Sequence, residues 1–449
     1  MERWNRITLC LLLISMFTLA LCIRSGFAAS GWSQTYGGSG DDETYSLVKT
    51  SDGGYALAGY TNSSGAGSYD FWLVKTDSSG TKQWNQTYGG SNDEGAFSVI
   101  QTNDTGYAVA GITTSYGAGE TDAWLVKTDS SGTMQWSQTY GGSGDDETYS
   151  LVKTSDGGYA LAGYTNSSGA GGDDFWLVKT NSSGSMVWNQ TYGGTGDEQA
   201  SSVIQTSDGG YALAGYTTSF GAGDYDFWLV RTDSSGNMLW NRTYGSAGDD
   251  EAECVIQTGD GYALAGLTNS TGAGGLDFWL VKTDSNGTPQ WNRTYGGAGD
   301  EAANALLQTS DTGYALAGWT TSYGAGGYDF WLVKTDSSGT MQWSKTYGGG
   351  GDDAAFSLVL TSDGGYALAG FTGSYGAGDY DGFLVKTDSS GNSVMPQSSS
   401  SIPYLAIVIV AIIAIVVIVA VVIVRRRRPK PGTPTVQQVS PADSEVKPT

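Results

Sequence analysis

Along most of the chain, apolar and polar positions follow one short rhythm. In the first full cycle, apolar and β-branched residues fill four runs, Asp41–Thr50, Gly54–Thr61, Phe71–Asp77 and Gln83–Tyr88, termed A to D. Clusters of Gly, Asp and Ser divide them. None is long enough for a helix, and Val, Leu, Tyr, Trp and Thr dominate, so each predicts a strand. Run B reads Tyr-Ala-Leu-Ala-Gly at Tyr55–Gly59. Strand alternation puts Ala56 and Ala58 on one face and Tyr55 and Leu57 on the other, so small residues can meet large ones between sheets. Ser51-Asp52-Gly53-Gly54 and Asp77-Ser78-Ser79-Gly80 are hairpin turns.

The cycle then recurs. Trp32, Trp84, Trp136, Trp188, Trp240, Trp291 and Trp343 fall 52 residues apart, with one step of 51. Four short antiparallel strands repeated seven times predict an all-β fold, a seven-bladed β-propeller of four-stranded blades over residues 30–395. The last unit has A at 352–361, B at 365–372 and C at 382–388, but Met395 stands where Trp belongs and Pro396 follows. Trp32–Tyr36 is a D strand with no blade before it. The N-terminal strand is therefore expected to close the last blade and remove two open sheet edges.

Gly80 and Trp84, following Asp77, form a Gly-x-x-x-Trp that resembles the tryptophan-docking motif of quinoprotein-type propellers. It recurs through Gly339 and Trp343, with the Asp-to-Gly spacing one residue shorter than in that family. The unit is also similar to propeller repeats of prokaryotic, notably archaeal, cell-surface proteins. The resemblance covers residues 31–395. It implies that each Trp stacks on a neighbouring blade. It also implies that a quinone enzyme would carry a vicinal cysteine pair, and this chain has none.

The two ends change the picture from a soluble ring to an anchored one. Arg3 and Arg6 precede an apolar run from Ile7 to Ile23, with small residues at Gly26 and Ala28. Residues 1–29 thus read as a secretory signal peptide, with an uncleaved anchor as the rival. Residues 396–401 form a linker. Ile402–Val424 carries no charge and, as a helix, would span about 34 Å. Arg425–Arg428 follow, which keeps the tail, 425–449, in the cytoplasm and the repeats outside the cell. Asn-x-Ser/Thr sites at Asn62, Asn85, Asn103, Asn166, Asn181, Asn189, Asn241, Asn269, Asn286 and Asn292 would make it a glycoprotein in a cell that glycosylates there.

Charge and composition narrow the chemistry. Residues 30–401 hold 42 acidic and 13 basic residues, a surface that repels nucleic acid. The chain has no histidine, and Cys254 is the only cysteine beyond the leader. Intrachain disulfides, His- or Cys-based metal sites and His-dependent nucleophiles are excluded. Cys254 reads as a packing residue.

The A–B and C–D turns share one end of the ring, and the B–C and D–A loops share the other. At the second end each D–A loop carries two acids: Asp41 and Asp42, Asp93 and Glu94, Asp145 and Asp146, Asp197 and Glu198, Asp249 and Asp250, Asp300 and Glu301, Asp352 and Asp353. Each B–C loop adds Asp70, Asp122, Asp174, Asp226, Asp277, Asp329 or Asp381. Aromatic loop positions are Tyr116, Phe220, Tyr323 and Tyr375, and Tyr69, Tyr225, Tyr328 and Tyr380 precede the loop Asp.

Three readings of this acidic face compete. The carboxylates cap tight loops, with one of each set paired to a strand lysine such as Lys75 or Lys127. They bind Ca²⁺. Or two act as general acid and base on a glycoside, as in an endoglucanase. Catalysis needs one asymmetric pair, whereas residues 32–67 and 136–171 are identical. No other cofactor is expected. The favoured expectation is a membrane-anchored surface-recognition or adhesion module whose partner is a carbohydrate or a cell-surface protein. A glycoside hydrolase and a passive envelope protein are the alternatives.

Overall fold

The computed structural model describes residues 31–396 and Ser440. The expected signal peptide, the membrane helix 402–424 and the tail lie outside the described residues. Among the described residues every regular element is a strand, β1 to β28 in chain order, and no helix is long and apolar enough to cross a membrane.

The strands form seven four-stranded antiparallel sheets. Blade one consists of β2 (Asp42–Lys49), β3 (Tyr55–Thr61), β4 (Asp70–Thr76) and β5 (Lys82–Tyr88). Blade seven joins β26 (Asp353–Leu360), β27 (Tyr366–Thr372) and β28 (Asp381–Lys386) to β1 (Trp32–Tyr36). Trp32 pairs with Lys386 and Tyr36 with Gly382, so the N-terminal strand completes the last blade as expected. The A-type strand of each blade packs on that of the next, and β26 packs on β2, which makes the A strands the inner ring.

The core lies between blades. Ala56, Ala58, Phe71 and Leu73 of blade one meet Tyr107, Val109 and Trp124 of blade two. The same pairing closes the circle, with Ala367 and Ala369 against Tyr55, Leu57 and Trp72. Burying these side chains stabilises each junction by roughly 1.5–3 kcal/mol per large residue. Each D-strand Trp lies on the following blade: Trp84 meets Tyr107 edge-on, with ring centroids 5.8 Å apart.

Every A strand carries a β-bulge. In blade one the register passes from Thr44↔Gly59 to Ser46↔Ala58 and leaves Tyr45 unpaired. Gly59 makes this possible, because a Cβ there would lie 1.8 Å from the Glu43 carbonyl oxygen. A bulge re-aims its extra residue. Here it turns one side chain per blade into the central channel.

Candidate functional site

The bulge residues, in blade order, are Tyr45, Phe97, Tyr149, Ser201, Glu253, Asn304 and Phe356. All seven line one cavity of about 330 Å³, joined by Gln199, Tyr216 and Glu251. Each is half-buried. The repeat stops repeating here. Blades seven, one, two and three supply a continuous aromatic arc, with centroids 4.7 Å apart for Phe356 and Tyr45, 5.5 Å for Tyr45 and Phe97, and 5.3 Å for Phe97 and Tyr149. Blades four, five and six supply a polar arc: Ser201 on β14 (Glu198–Gln205), Glu253 on β18 (Asp250–Thr258) and Asn304 on β22 (Glu301–Gln308).

The polar groups are largely committed to one another. Tyr45 donates to Glu43 at 2.6 Å, and Tyr149 to Glu147 at 2.5 Å. The Asn304 amide donates to the Ala355 carbonyl at 2.7 Å. Burial, and then the neighbouring Glu251, push the Glu253 carboxyl up to about 7 against a hydrogen bond with Ser201. Burial, and then Asp249, also raise Glu251. This pair on one strand face breaks the near-symmetry expected from the repeats. Strand alternation alone does not single the pair out, because the bulge between Ala252 and Cys254 is what aims Glu253. Its signal was the one strand position that runs Tyr, Phe, Tyr, Ser, Glu, Asn, Phe in aligned blades.

The acidic loop residues occupy other places. The second acid of each D–A loop is buried. Asp42 accepts from Gly38 N at 2.7 Å and Ser63 Oγ at 2.6 Å, and from the Thr61 hydroxyl. Glu94 accepts from Gly90 N at 2.8 Å and Thr113 Oγ1 at 2.9 Å. Asp146, Glu198, Asp250, Glu301 and Asp353 take the same backbone bond, for example Gly142 N to Asp146 at 2.7 Å and Gly194 N to Glu198 at 2.7 Å. The B–C loop aspartates are equally buried, and Asp70 accepts from Ala66 N and Gly67 N.

The first acids, Asp41, Asp93, Asp145, Asp197, Asp249, Asp300 and Asp352, are half-buried or exposed. Several latch the preceding blade: Asp300 accepts from Leu276 N at 2.9 Å and Asp352 from Tyr328 N at 3.1 Å. Among the described residues no three or more acidic side chains converge as a metal site would require.

The lysine pairing differs from expectation. Lys75 binds Asp52 and Lys127 binds Asp104, each at 2.8 Å, in the A–B turns at the opposite end of the ring. The chain direction explains this, since C strands carry these lysines at their ends, beside the A–B turn. Tyr116, Phe220 and Tyr323 lie over Trp124, Trp228 and Trp331 with centroids 5.4–5.5 Å apart, and Tyr375 lies over Phe383. The Tyr116 hydroxyl reaches Gly89 O of the preceding blade at 3.0 Å. Cys254 packs beside the junction of blades five and six, and burial pushes its thiol up to about 11.

No protein-family model matches the chain, and no curated protein matches its sequence. Among solved structures, the Neurospora crassa Pan2 WD40 domain is similar at 11% identity and a TM-score of 0.46, over 78% of this chain and 90% of that one. Sqt1 from Chaetomium thermophilum is similar at 12% identity and a TM-score of 0.45, over 76% and 83%.

Proposed function

We propose that the protein is a recognition module that binds its ligand in the channel, at the end formed by the D–A and B–C loops. One observation carries this. The scaffold positions recur from blade to blade, whereas the bulge position presents a different chemical set to one shared cavity. A passive spacer would have no use for that divergence. The exposed first acids Asp93, Asp197 and Asp300 would form part of a negative rim that draws a basic partner towards the mouth. The leader and the apolar segment 402–424 support placement outside the cell on a single-pass anchor, with carbohydrate or a surface protein as the partner. The test is a glycan and peptide array probed with the full chain and with a Phe97→Leu, Glu253→Gln double variant. Retention of every hit by the double variant would remove the channel from the reading.

A second reading is glycoside hydrolysis by Glu251 and Glu253. The high pKa of Glu253 favours it, because a carboxyl poised near 7 suits a general acid. Turnover of a polysaccharide that Glu253→Gln abolishes would support it, and no turnover on a broad panel would dismiss it.

A further inference from the structure

Resting on the channel as the binding site, we infer that it takes a substituted ammonium group, held between the aromatic arc and Glu253. In a ring of seven, blade five stands opposite the junction of blades one and two. Glu253 therefore faces Tyr45 and Phe97 across the cavity that all three line. Aromatic rings on one wall and, above its raised pKa of about 7, the Glu253 carboxylate on the other form the surroundings that a desolvated organic cation prefers.

The alternatives fit less well. A sugar needs several free directional partners. The Tyr45 and Tyr149 hydroxyls are turned to Glu43 and Glu147, the Asn304 amide to Ala355 and the Gln199 amide to Asp173. A calcium ion needs six to eight oxygen ligands, and half of the lining residues are aromatic. An anion meets two carboxylates and no lysine or arginine in the lining. The strand cations Lys75, Lys127, Lys179, Arg231, Lys282, Lys334 and Lys386 are paired at the far end of the ring. What remains is negative potential, ring surface and a volume suited to a small quaternary ammonium.

The test is calorimetric titration of the purified full chain with choline, with its neutral isostere 3,3-dimethylbutan-1-ol, and with a lysine-bearing peptide. Choline is expected to bind saturably, with the isostere about tenfold weaker, and Glu253→Gln or Phe97→Leu is expected to weaken choline by a factor of about five or more. Binding of the peptide but not of choline supports the same chemistry with a protein side chain as its source. Equal binding of choline and the isostere, or no binding of either cation, overturns the inference. If a neutral ligand binds and both variants weaken it, the channel stands and the ammonium fails. If neither variant alters any ligand, the channel fails too. Thermal melts of both variants confirm folding. Since both residues are partly exposed, a Tyr45→Leu variant serves as the third probe.

Discussion

The Tyr88 hydroxyl donates to the Gly132 carbonyl of the next blade at 2.6 Å, buried from solvent. The bond recurs at every junction, from Tyr36 with Gly80 to Tyr347 with Gly391. Tyr88→Phe keeps the ring and leaves a buried carbonyl without its donor. The expected loss is about 1–3 kcal/mol in guanidinium unfolding. Tyr116→Phe removes a bond of similar form from an exposed site and should cost under about 0.5 kcal/mol. Equal effects would mean that the junction bond does not hold the blades.

Gly132 also receives the Trp84 ring. Its φ is +81°, and a Cβ there would sit 2.7 Å from the ring edge. Gly53 has a similar φ of +86°, but nothing lies within 4 Å. Gly53→Ala should therefore cost about 1–2 kcal/mol, the backbone penalty alone. Gly132→Ala should add roughly 1–3 kcal/mol of overpacking. Similar melting temperatures for the two would show that the Trp contact contributes little.

The blades, their order and the closing strand were legible because each rests on local chemistry repeated seven times. Tyr55–Gly59 announces its own faces, and Met395 announces a missing strand. The site was less legible. Asp42 and Asp70 admit two readings in sequence, ligand or loop cap, and their bonds from backbone N–H groups bear out the cap. Glu253 looks like one more strand residue. Its role depends on the bulge, and the bulge depends on Gly266 in the neighbouring strand, a contact between residues that alternation does not announce. Lys75 pairs with Asp52 of the A–B turn and not with the denser acids of the D–A loop, a choice set by strand direction and not by local composition.

Two sets of carboxylates oppose one another in pH. Hydrogen bonds from Lys179 and Lys334, then from Thr154 and Thr309, hold Asp156 and Asp311 down to about 2. Their stabilisation is present above about pH 4, the unfolded value, and is lost as pH falls towards 2. Burial raises Asp122, Asp174, Asp277 and Asp381 against their backbone bonds. A raised folded pKa means that the folded state holds more protons, so stability falls as pH rises through that value. Burial first raises Glu43, Glu251 and Glu253 as well. The melting temperature should therefore rise from pH 8 to about pH 5 and fall below about pH 3.5. A steady decline on acidification from pH 7 would contradict the assigned directions.

The link between bulge and channel can be tested without touching the channel. A Cβ on Gly266 would lie 1.9 Å from the Glu251 carbonyl oxygen and 2.9 Å from Ala252 Cα, both backbone atoms that cannot swing aside. Gly266→Ala must displace the bulge that presents Glu253. Gly259, in the A–B turn at the other end of the same blade, has nothing within 4 Å of its Cβ. Gly259→Ala should leave stability within about 0.5 kcal/mol and ligand binding unchanged. Gly266→Ala should cost about 1–3 kcal/mol by overpacking, and the folded fraction should bind choline about as weakly as Glu253→Gln does. Native affinity in Gly266→Ala would show that the bulge does not set the carboxylate's position. The variable ring would then owe its chemistry to the side chains alone and not to the backbone that aims them.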